Sequence, residues 1–233
     1  MSKFHIRDYF DKYRPHPNLI FWIAMMEEAQ EIIPTNKDRK IIDFGCGDGS
    51  FFHLFPLMDS FKSGVGIEIE ESLLKQAKEK NIDNVEFIKY SDDFFKQNKS
   101  SFDIVFSQEV IYTIEDLKKH AQEIFDILKP DAYYFATMGS HIQNPLWSKR
   151  RKIIKDEFKA GICNYNAYDY SLDEVAEIFS SVGFEVGLKR LPLKYFMVYN
   201  QKLTKEFSNS LYDLVKTSEE EKMLFLFWKP NKK

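Results

Sequence analysis

Short all-apolar runs bounded by turn residues alternate along this chain with stretches whose apolar positions recur at helical spacing. Ile41 and Ile42 close one such run. GVGIEI (Gly64 to Ile69), VEFIK (Val85 to Lys89), FDIVF (Phe102 to Phe106), Ala132 to Thr137 and KMLFLFW (Lys222 to Trp228) are the others. Between them, Phe51 to Leu57 reads as a helix shortened by Pro56, and ESLLKQAKEKN and AQEIFDILKP read as two more, the last followed by a turn over Lys129 to Asp131. Ser171 with Glu174 three residues on is a capping box that opens a helix ending at Gly183, with a strand after it. Strands and helices taking turns in this way predict an α/β fold built on a parallel sheet.

Three stretches fall outside the alternation. Residues 1–35 read as two aromatic helices punctuated by Pro15 and Pro17, and Leu19 to Met26 is apolar on nearly all sides, as a helix packed on the core would be. Tyr9, Tyr13 and His16, interleaved with charges ahead of it, are candidates for the substrate side. Residues 141–170 carry the basic run KRRK (Lys149 to Lys152) and a segment rich in Tyr and Asn. That stretch is either a helix with one solvated charged face or a cap in which Arg150 or Arg151 grips a carboxylate or phosphate, whose oxygens match arginine's fork. Residues 192–221 are longer than a hairpin needs and predict a helix near 202–215. The reading is one domain, 1–233, with an N-terminal helical cap (1–35) and two substrate-side insertions (141–170 and 192–221).

The chemistry concentrates in KIIDFGCGDGS, Lys40 to Ser50. An apolar strand end, a turn with glycine at 45, 47 and 49, and a helix start near Ser50 make the first half of a nucleotide-binding βαβ unit. Two cofactor families use such a turn, and charge separates them. A dinucleotide brings an anionic pyrophosphate, which Asp43 and Asp48 would repel, and Ser50 stands where a third glycine of G-x-G-x-x-G would help the helix pack. S-adenosylmethionine brings a sulfonium and an ammonium and no phosphate, so a carboxylate at the turn attracts it.

On these residues the stretch resembles motif I, D-x-G-x-G-x-G, of the class I S-adenosylmethionine-dependent methyltransferases. The segment FDIVFSQEVI (Phe102 to Ile111) resembles the same family's post-strand signature. The resemblance covers residues 40–137 strongly, and 170–190 with 222–228 more weakly. It implies a seven-stranded, mostly parallel, doubly wound sheet with the last strand antiparallel, and transfer of a methyl group from S-adenosylmethionine. It also implies cofactor contacts from Asp43, Gly45, Cys46, Gly47 and Gly49, and from Glu68, with Ile69 beside it, at the ribose diol. Glu68 follows the turn at close to the usual spacing of roughly 20 residues, and two carboxylate oxygens can accept from both hydroxyls. An adenine-binding acid is expected after VEFIK. The alignment leaves Ser91 at that position with Asp92, or Asp93, just beyond it, and Gln108, Glu109 and Val110 complete the cofactor side. Met138 to Trp147 is the expected active-face loop, with Trp147 among the substrate contacts. His141, Glu109 or His16 is available as general base if the acceptor is a hydroxyl.

Net charge is −3, from 33 basic and 36 acidic residues, which gives no general drive toward nucleic acid. Cys46 and Cys163 are too few for a disulfide framework and lack zinc spacing, and no metal constellation is assembled. The N-terminus has no signal or transit pattern and no run spans a bilayer, so the expected setting is cytoplasmic, away from membranes. The expected partner is a small-molecule acceptor, with oligomeric state left open. The rival readings are a nicotinamide-dependent oxidoreductase and a methyltransferase-like protein that binds without catalysis.

Overall fold

The apolar runs become the strands of one sheet, and the helical stretches cover its two faces. The structure, a computed structural model, describes residues 18–143, 147–191 and 222–231. In chain order the elements are α1 (Leu19–Ile32), β1 (Lys40–Phe44), α2 (Ser50–Met58), β2 (Ser63–Glu68), α3 (Glu71–Glu79), β3 (Val85–Lys89), α4 (Asp92–Gln97), β4 (Phe102–Gln108), α5 (Leu117–Ile127), β5 (Leu128–Gly139), α6 (Trp147–Lys159), α7 (Leu172–Val182), β6 (Glu185–Arg190) and β7 (Lys222–Trp228). Single 3-10 turns sit at Ile111–Thr113 and His141–Gln143.

The seven strands lie in the order β3-β2-β1-β4-β5-β7-β6. β1 to β5 are mutually parallel, and β7 runs antiparallel to both β5 and β6. Strand order reverses between β1 and β4, so the crevice beyond their carboxyl ends is where an open α/β sheet of this type binds its ligand.

Alternation along each strand divides the core in two. Ile42, Val105, Tyr134 and Phe227 face α5 and α7, where they meet Ile124, Val175 and Phe179. Ile41, Phe106, Phe135 and Leu224 face the other way, onto Ile23 and Met26 of α1 and Phe51, Phe52 and Phe55 of α2. Each fully buried side chain of this size contributes roughly 1.5–3 kcal/mol. α1 is therefore held in the core along its length. Trp22 meets Phe51 edge-on at 6.1 Å and Gln30 donates to the Met58 carbonyl at 2.8 Å.

Three local expectations are corrected. Pro56 does not shorten α2, which continues to Met58. Proline removes one backbone donor, and a helix this well buried, with Phe52 and Phe55 fully enclosed, tolerates the loss. Lys129 to Asp131 does not separate helix from strand. β5 starts at Leu128, paired with Phe102, and the irregularity survives as a register shift between Phe102 and Ile104, with Asp131 in the left-handed region at φ 62°. The expected active-face loop is shorter than Met138 to Trp147, because β5 runs to Gly139 and α6 begins at Trp147. The capping box of Ser171 and Glu174 and the left-handed Gly183 are as expected. Tyr9, Tyr13 and His16, and the helix expected near 202–215, lie outside the described residues. Among the described residues no helix is long and apolar enough to cross a membrane.

β2 shows why its sequence is GVG. A Cβ on Gly64 would lie 2.5 Å from the Phe52 ring, and one on Gly66 would lie 2.4 Å from the Phe87 ring and 2.9 Å from the Cys46 sulfur. The glycines are the sockets for aromatic rings from both neighbours. Replacing Gly66 by Ala should lower stability by about 1–3 kcal/mol through overpacking, read as a lower urea midpoint at unchanged m.

Candidate active site

The turn after β1 is built by three residues in the left-handed region, Gly45, Gly47 and Gly49, at φ 74°, 55° and 78°. The Gly45 and Cys46 N–H groups both donate to the Ile67 carbonyl, at 2.8 and 3.0 Å, which folds the turn back over β2. A Cβ on Gly45 would strike Val110 at 2.4 Å, so Val110 packs on the turn. A Cβ on Gly47 would meet nothing within 4 Å. The turn is thus closed beneath Gly45 and open above Gly47.

Four carboxylates ring this opening, in four different electrostatic states. Asp48 accepts from Lys80 Nζ at 2.7 Å and from the Ser50 hydroxyl and N–H at 2.9 and 3.1 Å. Burial pushes its pKa up, but these bonds win and hold it below the ordinary carboxylate range. Asp48 is therefore neutralised by Lys80 and is not the charge that greets a ligand. Glu68 accepts from Gly47 N–H at 2.8 Å on one oxygen, and from Ile69 and Glu70 N–H at 2.7 and 2.9 Å on the other. A carboxylate accepts at about four sites, so these three bonds leave Glu68 with acceptor capacity to spare.

Asp43 differs. It is 5% exposed, at the end of β1, and its carboxylate has no hydrogen-bond or ion-pair partner among the described residues. Burial first, then the charges of Glu68 and Asp48, raise its pKa well above the ordinary value. An empty space over Gly47 and an unpartnered buried carboxylate beneath it fit a ligand that is cationic where it meets the turn. They do not fit a pyrophosphate. Cys46 is enclosed, and burial followed by the charges of Asp43 and Glu68 raises its thiol pKa, so it acts as a small packing residue.

Glu109 is the fourth. It sits just past β4 at φ 58°, an uncommon backbone for a residue with a side chain, held by its N–H donating to the Thr137 carbonyl at 3.0 Å. That twist turns the carboxylate toward Lys222 Nζ, 2.9 Å from Oε1, and His141 Nε2, 3.8 Å from Oε2. Burial alone would raise its pKa, but the charge of Lys222 and the contact with His141 bring it down to about 2. Glu109 is accordingly a fixed anion and a weak base. His141 lies in a box of rings, stacked on Trp147 at 3.9 Å and 10° and edge-on to Tyr112 at 4.5 Å. The Glu109 carboxylate lies beside Nε2, and Nδ1 on the other side of the ring is buried without a partner among the described residues.

The remaining candidates separate clearly. Gln108 and Thr137 are register partners at the ends of β4 and β5, on the same sheet face as Asp43, and both amide atoms of Gln108 and the hydroxyl of Thr137 are buried without partners among the described residues. Ser91 caps α4 by accepting from Phe94 N–H at 3.4 Å, and Asp92 is bound by Lys119 Nζ at 2.9 and 3.0 Å. Asp93 pairs with Lys96 at 3.4 Å on the surface. Ile69 is exposed just past β2. Arg151 is paired with Asp169, which also accepts from Trp147 Nε1 at 2.8 Å, while Arg150 Nη2 lies 3.5 Å from the Tyr112 hydroxyl. Beyond α6 the chain crosses the site. Tyr168 N–H donates to the Tyr112 carbonyl at 2.8 Å, and Asn164 Nδ2 donates to Glu70 Oε2 at 2.8 Å.

Sequence reasoning missed Lys222, Lys80, Tyr112 and Thr137. Lys222 and Lys80 act across long chain separations that no local pattern encodes. Thr137 did carry a signal, a lone polar residue closing an apolar strand next to the point where strand order reverses.

Comparison with known proteins agrees with this geometry. A family model described as a methyltransferase domain matches residues 35–208. Protein 235L of Invertebrate iridescent virus 6, assigned as a methyltransferase, is 26% identical over 176 residues, which take in 75% of this chain and 63% of that protein. Among solved structures, an assigned methyltransferase in complex with the Trm112 methyltransferase activator of Haloferax volcanii superposes with a TM-score of 0.68 at 17% identity, over 98% of this chain and 99% of the other. Phosphoethanolamine N-methyltransferase 2 of Haemonchus contortus, bound to S-adenosyl-L-methionine, gives 0.63 at 19% identity over 99% of this chain and 61% of its own. A S-adenosylmethionine-dependent methyltransferase of Mesorhizobium loti gives 0.62 at 14% identity over 88% and 97%. With the family model covering most of the chain and the glycine turn opening over an unpaired Asp43, the protein belongs to the methyltransferase-domain family of class I S-adenosylmethionine-dependent enzymes.

Proposed function

We propose that this enzyme methylates an oxygen or nitrogen of a small-molecule acceptor held over the carboxyl ends of β4 and β5. The observation that carries the reading is the row of polar groups on one sheet face without partners among the described residues, Asp43 under the glycine turn, then the fully buried Gln108 amide and Thr137 hydroxyl. Buried polar groups are almost always paired, so a run of unpaired ones at strand ends marks where ligands complete the set. The Haemonchus protein, named as a phosphoethanolamine N-methyltransferase, is a structural neighbour whose named acceptor is a small molecule.

S-adenosylmethionine, when bound, supplies a methyl group already activated by the positive charge on sulfur. What the chain supplies is position. Asp43 meets a cationic group, Glu68 offers its remaining acceptor site to a ribose hydroxyl, and Gly47 leaves the approach clear. The Gln108 amide, with one donor face and one acceptor face, and the Thr137 hydroxyl hold the acceptor. Holding reactants at near-attack distance is worth about 7–11 kcal/mol of barrier. Where the acceptor is a hydroxyl, His141 Nδ1 takes its proton. Glu109 then stabilises the charged ring across 3.8 Å, and the Trp147 stack fixes the ring's plane. With a pKa of about 2, Glu109 is too weak a base to take that proton itself.

The charge role of Asp43 gives two opposed effects. Replacing it by Asn removes a buried carboxylate whose ionised form burial disfavours, so the ligand-free protein should melt at a higher temperature at neutral pH. Calorimetric affinity for S-adenosylhomocysteine should fall at least tenfold. Equal affinity in the variant, or tight NADH binding to the wild type, would point to the dinucleotide reading instead.

For the base, His141→Gln should cost roughly 10²–10⁴ in kcat with a hydroxyl acceptor found by screening metabolites for added methyl groups, and leave S-adenosylhomocysteine affinity nearly unchanged. Full turnover in that variant removes His141 from the chemistry. Glu109 carries a pH signature of its own. Its folded pKa lies below its ordinary value of 4.5, so its contribution to stability is complete above about pH 4.5 and is lost as pH falls toward 2. The difference in urea midpoint between wild type and Glu109→Gln should shrink across that window.

A further inference from the structure

α6 presents Trp147, Arg150, Arg151 and Ile154 on one face, the i, i+3, i+4, i+7 set, with Trp147 and Ile154 buried against the domain. Lys149 and Lys152 of the same basic run lie on the other face and are exposed. The two arginines between Trp147 and Ile154 are less enclosed than these, Arg150 exposed and Arg151 half-buried, and they have different fates. Arg151 is consumed by Asp169, in an ion pair that also fixes the Trp147 indole. Arg150 has no carboxylate partner among the described residues, and its one polar contact is the Tyr112 hydroxyl, at 3.5 Å.

That contact is between two donors. The phenolic oxygen accepts from the guanidinium, and among the described residues neither the phenolic proton nor the other N–H groups of the arginine fork have a protein acceptor. The Tyr112 ring is buried and packs edge-on against both His141 and Trp147, so its hydroxyl is fixed in place. The Tyr165 phenol lies within electrostatic reach of Arg150 as well as of Glu68, and Arg150 is itself exposed, so the pair opens to solvent. Donors converging on a point with no acceptor between them call for an oxyanion, and the planar arginine fork matches the two oxygens of a carboxylate or phosphate.

We propose that Arg150 and the Tyr112 hydroxyl form an oxyanion subsite at the mouth of the active site, one phenol ring away from His141, and that it takes a carboxylate or phosphate. The proposal rests on the methyl-transfer reading and narrows it. The bound anion is either the acidic group of the acceptor or the methionyl carboxylate of the cofactor. An acceptor held there carries its anionic group one aromatic ring's length from the atom that is methylated.

The test uses the full chain and two titrations. Inorganic phosphate is added to protein saturated with S-adenosylhomocysteine and followed by ³¹P line broadening. Separately, S-adenosylhomocysteine and 5′-methylthioadenosine, which lacks the amino-acid moiety, are titrated by calorimetry. If the acceptor supplies the anion, Arg150→Gln raises the phosphate Kd at least tenfold and leaves S-adenosylhomocysteine within twofold. Arg150→Lys then falls between, because a point charge replaces a fork, and Tyr112→Phe, which keeps the ring packing, loses about threefold or more. If the cofactor supplies it, Arg150→Gln weakens S-adenosylhomocysteine at least tenfold and leaves 5′-methylthioadenosine unchanged. The subsite is overturned if Arg150→Gln changes none of these, or if Lys149→Gln on the outer face costs as much as Arg150→Gln. A wild type that takes phosphate but not S-adenosylhomocysteine would sink the methyl-transfer reading and leave the subsite standing.

Discussion

Keeping a carboxylate ionised where little water reaches it costs stability, and Asp43, buried at the end of the first strand without a hydrogen-bond or ion-pair partner among the described residues, sits in that condition. The sheet imposes the position. β1 is paired on both sides, its side chains alternate between two cores, and residue 43 falls on the face that α1 and α2 close. Packing therefore places the acid, and the three left-handed glycines that follow keep the chain from folding over it. An incoming positive charge relieves the cost, which converts part of the fold's stability into affinity.

The neighbouring ions are arranged so that this relief is not offered from within. Asp48 is satisfied by Lys80 and Ser50, Glu68 by three backbone N–H groups, Glu109 by Lys222, and Asp169 by Arg151. Among the described residues Lys80, Lys222 and Arg151 each meet a particular acid, and Arg150 does not.

The sheet, its parallel core and its antiparallel last strand were legible because apolar runs, a capping box and a glycine turn are local signals. Motif I was legible for the same reason, and charge at Asp43 separated the cofactor classes. Asp48 counted with Asp43 among the charges that would repel a pyrophosphate, because nothing in the sequence announces that Lys80, just past the end of α3, folds back onto it. Glu109 looked like a base because its low pKa depends on Lys222, at the far end of the chain. KRRK read as one basic run, and only helical geometry divides it into an outer pair, a structural arginine and an unpaired one. Thr137 passed for the last residue of a strand until its register with Gln108 placed two unpartnered groups side by side.

The segment after α6 returns to the domain at two distant points, at the Tyr112 carbonyl and, through Asn164, at Glu70 two residues past Glu68. One stretch of chain therefore ties the loop after β4 to the loop after β2, and freeing it from either anchor leaves it hung from the other.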